Sequence, residues 1–210
     1  MPYNTLLIDL DDTIYPSSCG LWDDIRSRIN QYLYEKMHFP LEDIPAIRLD
    51  LFSRYGTTLR GLKALHQVNE QDYLEFVHNA PLSDYINPDP ELNAMLLRYS
   101  QRRIIFTNAD DEHANRVLNT MQLTDCFEQI IDVNAIAPYC KPMKEAYEKA
   151  FSLANITDPS ECVFADDSIK NLDAAREFGV LTILINENSM PSNGHLSIKH
   201  LKDLPNAFPF

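Results

Sequence analysis

Short apolar segments recur along the chain and alternate with segments of helical periodicity. Five of them have the length of a buried strand, and they cover residues 5–10, 103–107, 129–133, 162–165 and 181–185. Apolar residues spaced by three and four indicate helices between them, as at Ala114, Val117, Leu118 and Met121. Buried strands that alternate with amphipathic helices are typical of a parallel sheet with helices on both faces. The sequence therefore predicts an α/β fold built on a doubly wound parallel sheet.

Other helices are predicted in the same part of the chain. One covers residues 92–99, where the apolar residues again follow helical spacing. A second is expected to begin at Pro142, since proline suits the first turn of a helix. A third follows Ser168 and ends at Gly179, which suits a C-terminal cap. The last segment, residues 187–210, shows little periodicity and is expected to wrap the edge of the sheet.

Residues 16–87 break the alternation, because they show helical periodicity and no segment that resembles a strand. Leu21 and Ile25 begin the first of these helices. We therefore predict two domains, an α/β core formed by residues 1–15 and 88–210 and a small all-helical cap inserted after the first strand. Ligands of such sheets bind at the carboxyl ends of the strands, so an insertion at this point would cover the binding site.

Composition narrows the range of functions. Of the 210 residues, 45% are hydrophobic and 23% are charged, as in an ordinary globular protein. Lys and Arg number 18 against 31 Asp and Glu, which gives a net charge of −13. This charge repels phosphate backbones and anionic lipids, so we expect neither a nucleic-acid polymer nor a membrane as a partner. An acidic chain that binds phosphate must neutralise it locally, with a metal ion or a few cations.

The cysteines and the absence of targeting signals indicate a compartment. Cys19, Cys126, Cys140 and Cys162 are too widely spaced for a zinc knuckle or a small disulfide scaffold, and we expect reduced thiols. No apolar run reaches the roughly 20 residues of a membrane span, and the first residues do not resemble a secretory signal. The sequence therefore predicts a cytoplasmic protein.

Carboxylates cluster where two of the predicted strands end. Asp9, Asp11 and Asp12 stand at the end of the first strand, and Asp166 and Asp167 close the fourth. Either group alone is also compatible with an Asp-rich turn in an acidic protein. Because the carboxyl ends of parallel strands lie at one edge of the sheet, the two groups together can form the oxygen site that Mg²⁺ prefers.

Three further residues at this edge are candidates for binding an anion. Thr107 and Asn108 follow the second strand, where a hydroxyl and backbone N–H groups before a helix can bind phosphate or simply cap the helix. Lys141 stands at a junction between a loop and a helix, where a lysine is more often solvated. The occurrence of all these residues at strand ends, in this order, favours a single site.

The chain resembles the haloacid dehalogenase (HAD) superfamily of phosphotransferases in four motifs, which are Asp9-x-Asp11-x-Thr13, Thr107-Asn108, Lys141 and Asp166-Asp167. The resemblance implies the Rossmann-like core of that superfamily. In the superfamily, dehalogenases lack an acid at the position of Asp11, whereas phosphatases and phosphomutases carry one. Several other strings are similar to the pyrimidine 5′-nucleotidase-like branch. They lie at residues 15–16, 55–62, 76–78, 105–110, 140–142 and 166–168.

The resemblance implies a two-step hydrolysis of a phosphomonoester. Asp9 would attack phosphorus and form an aspartyl-phosphate, while Asp11 would protonate the leaving oxygen and then deprotonate the attacking water. Mg²⁺ would be bound by Asp9, the main-chain carbonyl of Asp11 and the carboxylate of Asp167, with Asp166 close by or connected through water. Which of Asp166 and Asp167 binds the ion directly stays open, although Asp167 is favoured.

Supporting roles follow from the same resemblance. The groups expected to bind the phosphoryl oxygens are Thr107, the N–H of Asn108 and Lys141. Asn171 would support the Asp166–Asp167 loop. In the cap, the candidates for substrate specificity are Thr57, Thr58 and Arg60. The threonines are just as typical of a helix start, and the arginine of a solvated position.

The expected function is a Mg²⁺-dependent phosphomonoester hydrolase that acts on nucleoside 5′-monophosphates. One alternative is a sugar-phosphate phosphatase or a phosphomutase, which shares the catalytic residues. A second is a non-catalytic binding or regulatory protein on the same fold. It is disfavoured because Asp9, Asp11, Lys141, Asp166 and Asp167 are all present. The expected partner is a small phosphorylated metabolite, and the oligomeric state stays open.

Overall fold

A computed structural model describes residues 3–188 and 192–209 of the chain. The chain divides into two compact units. An α/β unit comprises Met1–Cys19 and Ile86–Phe210, and a helical unit comprises Gly20–Tyr85. The predicted borders of the insertion stand at residues 16 and 87. Within the described ranges, no helix combines the length and the apolarity needed to cross a membrane.

Four helices form the helical unit, counted over its described residues. They are α1 (Leu21–Glu35), α2 (Ile44–Tyr55), α3 (Thr58–Leu65) and α4 (Glu70–His78). The apolar face of α1 packs on α4, and α2 packs on α3. Gly61 permits the close approach of α2 and α3, because a Cβ atom at this position would lie 2.6 Å from the side chain of Leu51. The periodic apolar residues of this segment thus form a small core of their own.

The α/β unit is built on one parallel sheet, and its described part contains six strands. They are β1 (Thr5–Ile8), β2 (Arg102–Phe106), β3 (Gln129–Ile131), β4 (Cys162–Asp166), β5 (Leu181–Ile185) and β6 (Leu196–Ile198). Their spatial order is β3-β2-β1-β4-β5-β6, and every pair is parallel. The chain therefore adds β2 and then β3 on one side of β1, returns to place β4 on the other side of β1, and adds β5 and β6 beyond it. The crevice at such a reversal, beyond the carboxyl ends of β1 and β4, is where ligands bind in this class of sheet.

Helices flank the sheet, as predicted. They are α5 (Pro90–Leu97), α6 (Asp111–Met121), α7 (Lys144–Leu153), α8 (Ile169–Arg176) and α9 (Leu204–Ala207). One large apolar cluster joins the sheet to α7 and α8. In it the ring of Phe106 meets the ring of Tyr147 edge to face, with their centroids 5.4 Å apart. The buried stretches of these strands are apolar, as at residues 104–106 in β2 and 162–165 in β4, which explains why polar residues mark the strand ends.

Several predicted boundaries are wrong by a few residues. The first strand ends at Ile8 and not at Leu10, because the carbonyl of Leu10 already accepts bonds from a turn. The third strand ends at Ile131, since the side chain of Asp132 caps the next turn by accepting from the N–H of Ala135. The helix expected from Pro142 begins at Lys144, because a turn closed by the bond from Met143 N to Cys140 O occupies the preceding residues.

The C-terminal segment contains more structure than expected. Residues 196–198 form β6, which pairs with β5 and extends the sheet by one strand. Three residues are too few to produce a periodic pattern, so no strand could be predicted there. Residues 189–191 and 210, which belong to the same predicted segment, lie outside the described residues.

Candidate active site

Asp9 lies directly beyond β1, at the point where the sheet order reverses. Its backbone N–H donates to the carbonyl of Ala165 at 2.9 Å, so the pairing of β1 with β4 extends as far as this residue. Asp9 is buried, and one of its carboxylate oxygens accepts from the ammonium group of Lys141 at 2.7 Å. The aspartate is therefore held in place by both its main chain and its side chain.

A tight turn follows Asp9 and directs the chain out of the sheet. The carbonyl of Leu10 accepts from the N–H groups of Thr13 and Ile14 at 3.3 and 2.9 Å. Asp12 has φ of 56°, in the left-handed region that aspartate tolerates better than most residues. The hydroxyl of Thr13 lies 3.5 Å from Asp9 Oδ2, which is a long contact. The turn brings Asp9 and Asp11 to the same edge of the sheet.

Lys141 connects three elements at this edge. Its Nζ donates to Asp9 Oδ1 at 2.7 Å, to the carbonyl of Phe106 at 2.8 Å and to Asp166 Oδ2 at 2.8 Å. The side chain is only 1% exposed. Burial opposes its charge, but the carboxylates of Asp166 and Asp9 outweigh burial and raise the pKa of the ammonium group. Lys141 is therefore a permanent cation at the end of β1, β2 and β4, and not the solvated lysine that its isolated context suggests.

The two residues that follow β2 have structural contacts of their own. Asn108 Nδ2 donates to the main-chain carbonyl of Lys141 at 3.0 Å, and its Oδ1 accepts from Lys141 N at 2.8 Å. This reciprocal pair fixes the loop that carries the lysine. Thr107 is buried, and its hydroxyl oxygen accepts from the N–H of Ala109 at 3.0 Å. Both residues lie at the same strand end as predicted, and their contact with a phosphoryl group stays a prediction.

Asp166 and Asp167 close β4 in different environments. Asp166 is fully buried, and its oxygens accept from Lys141, from Ser168 N and from Asn171 Nδ2 at distances of 2.8–3.1 Å. Asp167 is exposed at the surface of the cluster. Protein donors thus satisfy Asp166, whereas Asp167 is the solvent-exposed member of the pair.

The carboxylates of Asp9, Asp166 and Asp167 form a group suited to a divalent cation. One oxygen of each lies within 4.8 Å of the others. Burial raises the pKa of Asp9 to about 7 in spite of the neighbouring Lys141, and Asp166 adds to the increase. Although residue Asp167 is open to solvent, the protein atoms around its carboxylate desolvate the charge, and together with the charges of Asp166 and Asp9 they raise its pKa to about 8. Three carboxylates around one ammonium group leave excess negative charge, and all the donors are the hard oxygens that Mg²⁺ prefers.

Asp11 is held by two residues that the sequence analysis did not select as site residues. Its Oδ1 accepts from the hydroxyl of Tyr15 at 2.5 Å and lies 2.8 Å from Nε2 of His113. Burial and the charge of Asp11 raise the pKa of the Tyr15 phenol well above its usual value, so the hydroxyl stays a donor. The sequence did indicate that His113 lies on the buried face of α6, because it stands four residues before Val117 and residues four apart share a helix face.

The cap candidates have structural partners within the helical unit. The hydroxyl of Thr57 caps α3 by accepting from Arg60 N at 3.1 Å, and Thr58 is the first residue of that helix. The guanidinium of Arg60 is buried and donates to Glu70 at 3.1 Å. Arg60 is therefore not a solvated residue. The role of these three residues in substrate recognition stays a prediction.

Comparison with known proteins identifies relatives of the whole chain. YfnB from Bacillus subtilis, named a HAD-hydrolase and bound to magnesium, is 20% identical over 99% of both chains, with a TM-score of 0.67. A HAD phosphatase from Thermococcus onnurineus is 20% identical over 97% of this chain and 96% of its own, with a TM-score of 0.61. The L-2-haloacid dehalogenase from Xanthobacter autotrophicus, with chloropropionic acid covalently bound, is 17% identical over 97% of both chains, with a TM-score of 0.61.

These structures share the fold, and their names include both a phosphatase and a dehalogenase. A family model described as haloacid dehalogenase-like hydrolase matches residues 3–179, which include all four motifs. The predicted superfamily is thereby confirmed, while the pyrimidine nucleotidase branch stays a prediction. The chain belongs to the haloacid dehalogenase-like hydrolases.

Proposed function

We propose that this hydrolase cleaves phosphomonoesters of small metabolites and uses Asp9 as its nucleophile. The observation that carries the proposal is the contact of Lys141 Nζ with Asp9 and Asp166 at 2.7 and 2.8 Å, at the reversal of the sheet. A buried carboxylate beside a permanent cation and two further acids can bind a metal ion and a phosphoryl group together. Such fixed charges contribute most of the catalysis in phosphoryl transfer.

The reaction proceeds in two steps. A carboxylate oxygen of Asp9 attacks phosphorus, the bond from phosphorus to the ester oxygen breaks, and Asp11 donates its proton to the leaving oxygen. In the second step water attacks the aspartyl-phosphate, its proton passes to Asp11, and inorganic phosphate leaves with Asp9 regenerated. Lys141 stabilises the negative charge on the phosphoryl oxygens in both steps.

The carboxylate cluster supports a role for Mg²⁺ in this reaction. Asp9, Asp167 and the main-chain oxygen of Asp11 would hold the ion, with Asp166 kept in place by Lys141 and Asn171. When bound, Mg²⁺ would neutralise part of the charge on the phosphoryl group. Asp167 is favoured over Asp166 as the direct ligand, because the oxygens of Asp166 are already occupied by protein donors.

Asp11 favours a phosphatase over a dehalogenase. A halide leaves as a stable anion and needs no proton, whereas the alkoxide of a phosphate ester is a poor leaving group without one. A carboxyl group beside the nucleophile therefore has a function in ester hydrolysis and none in the displacement of a halide. The contacts of Asp11 with Tyr15 and His113 support this interpretation.

The proposed substrates are nucleoside 5′-monophosphates, in particular those of pyrimidines. This part rests on the strings shared with the pyrimidine 5′-nucleotidase-like branch, such as residues 55–62 and 105–110. A sugar-phosphate phosphatase or phosphomutase is the alternative. All four cysteines are free thiols, which supports an enzyme of the reducing cytoplasm.

Phosphate release from a panel of substrates tests the proposal. The panel contains nucleoside monophosphates, sugar phosphates, p-nitrophenyl phosphate and a 2-haloacid, with Mg²⁺ present and halide release measured for the last. We expect phosphate release from UMP or CMP and its loss in Asp9→Asn. Halide release without phosphate release would establish a dehalogenase. Phosphate release that persists in Asp9→Asn would exclude Asp9 as the nucleophile.

A further inference from the structure

Asp11 is bound from two distant parts of the chain. Tyr15 belongs to the same loop after β1, and its hydroxyl donates to Asp11 Oδ1 at 2.5 Å. His113 belongs to the first turn of α6, which follows β2, and its Nε2 lies 2.8 Å from the same oxygen. A carboxylate has no proton to donate, so a contact this short makes Nε2 of His113 the donor. Two donors therefore converge on a single oxygen of Asp11.

Both donors are themselves held rigidly. Tyr15 is 1% exposed, and the side chain of His113 is fully buried. The backbone N–H of His113 donates to Asp110 at 2.8 Å, which fixes the residue in the capped first turn of α6. The partly exposed Asp11 is thus positioned by two side chains that have little freedom to move. Such support is what keeps a catalytic group within a fraction of an ångström of its working position.

We propose that Tyr15 and His113 are positioning residues, which hold the carboxylate of Asp11 through Oδ1 at the edge of the sheet where Asp9 lies. The two contacts come from different segments of the chain, so the carboxylate can rotate or shift only if both of them are given up. The inference rests on the proposed role of Asp11 as general acid and base.

Substrates with different leaving groups provide a direct test. The alkoxide of UMP needs the proton of Asp11, whereas p-nitrophenolate leaves readily without it. The quantity compared is kcat/KM, which reports the first step, because kcat also includes the second step, in which Asp11 is the base for both substrates. We expect Tyr15→Phe and His113→Leu each to lower kcat/KM for UMP about tenfold, and the double variant should approach Asp11→Asn, since general acid catalysis contributes about 10²–10⁴-fold. Their kcat/KM for p-nitrophenyl phosphate should change less than about threefold.

Matched variants separate positioning from general damage. Tyr99→Phe removes another buried hydroxyl, which donates to the carbonyl of Phe208. His195→Leu removes another buried imidazole, which contacts Thr182. Neither should change the ratio of kcat/KM for the two substrates. His113→Gln, which can still donate from a similar position, should recover most of the kcat/KM for UMP. An equal loss of kcat/KM on both substrates in Tyr15→Phe and His113→Leu would overturn the proposal.

A crystal structure of the Tyr15→Phe/His113→Leu double variant gives a second readout that needs no activity. We expect the carboxylate of Asp11 to leave its wild-type position by more than about 1 Å. An unmoved carboxylate would overturn the positioning role even if the chain hydrolysed no phosphate ester. Conversely, a displaced carboxylate together with an inactive wild-type enzyme would count against the proposed function alone.

Discussion

Lys141 in the α/β unit and Arg60 in the helical unit are both buried cations, but the charged groups near them differ in sign and in exposure to solvent. Lys141 is 1% exposed and contacts two members of a group of three carboxylates. Arg60 is 6% exposed and pairs with Glu70, which also contacts Lys63. The group around Lys141 thus contains more acids than cations, whereas Glu70 in the helical unit contacts two cations.

The exposure of these charged groups to solvent determines whether water can stabilise the excess charge. Lys63, the additional cation of the helical unit, has a side chain that is 38% exposed, so water can solvate its charge. The additional carboxylates around Lys141 include the fully buried Asp166, and the pKa of Asp9 is raised to about 7. Excess charge that water cannot stabilise requires a ligand of the opposite sign. The comparison therefore separates a structural ion pair from a site built for a cation and an anionic substrate.

Removal of Lys141 should have the largest effect. In Lys141→Met the carboxylates of Asp9 and Asp166 lose their shared partner, and we expect kcat for p-nitrophenyl phosphate to fall by about 10²–10³-fold. We also expect a loss of about 3–5 kcal/mol in the free energy of unfolding, measured in urea at pH 8 without Mg²⁺. Lys149→Met is the control, since Lys149 donates to a main-chain carbonyl, that of Ala137. A loss of activity below tenfold would contradict the role of Lys141.

The raised pKa values predict how Mg²⁺ binding depends on pH. Asp9 and Asp167 have pKa values of about 7 and 8, above the usual value of 3.8, so the metal-free fold retains protons that the unfolded chain releases. Their contribution to stability is therefore lost as pH rises from about 4 to 8. Mg²⁺ displaces the same protons, so its apparent affinity should rise about tenfold per pH unit for each proton displaced, which is about tenfold between pH 7 and 8 and about 100-fold per unit below pH 7.

Thermal unfolding checks this linkage. The increase in Tm caused by Mg²⁺ should be larger at pH 8 than at pH 5.5, and Asp167→Asn should reduce the difference. NaCl at matched ionic strength is the control, because it screens surface charges without binding the cluster. An Mg²⁺ effect that is equal at both pH values, or larger at pH 5.5, would show that the carboxylates are not its ligands.

Residues at this edge of the sheet were predictable because a run of buried apolar residues precedes each of them, such as residues 104–106 before Thr107. Asp9, Thr107 and Asp166 mark strand ends in the sequence, and parallel strands bring their carboxyl ends to one edge. The fold class was confirmed for the same reason. The exception in the sheet is β6, whose three residues are too few to show periodicity.

Contacts between distant segments could not be predicted in this way. The position of His113 on the buried face of α6 is visible in its spacing from Val117. That it meets Asp11, about one hundred residues earlier, depends on how α6 packs beside the turn after β1. The pairing of Arg60 with Glu70 likewise depends on the packing of two helices and on the rotamers of both side chains. Periodicity gives the face of a helix but not the residue that it meets.

A smaller effect is expected from Asn171→Ala. Asn171 Nδ2 donates to both oxygens of Asp166 at 3.0 and 3.1 Å and orients this buried carboxylate beside Lys141. Loss of such a partner typically lowers metal affinity by about 10–100-fold, and we expect the lower end because Lys141 remains. Isothermal titration with Mg²⁺ measures the change. Asn193→Ala is the control, since Asn193 Nδ2 contacts Asp173 and not the cluster. Unchanged affinity would show that Lys141 alone orients Asp166.

The smallest effect should come from the helical unit, where Glu70 contacts Lys63 in addition to Arg60. Arg60→Met removes the buried partner of Glu70, but Lys63 still contacts the other carboxylate oxygen, and Glu70 is itself 21% exposed. We therefore expect a loss of about 1–2 kcal/mol in the free energy of unfolding, well below that of Lys141→Met. Lys63→Met should cost at most about 1 kcal/mol, as for other exposed pairs.

The double variant Arg60→Met/Lys63→Met measures how far Lys63 compensates for Arg60, because it leaves Glu70 without either of these cations. If Lys63 compensates for the loss of Arg60, the double variant should cost more than the sum of the two single variants. Urea unfolding of all three variants measures this coupling. Simple additivity would mean that Lys63 does not compensate and that water stabilises Glu70. A loss in Arg60→Met as large as that in Lys141→Met would mean that solvent access does not distinguish the two buried cations.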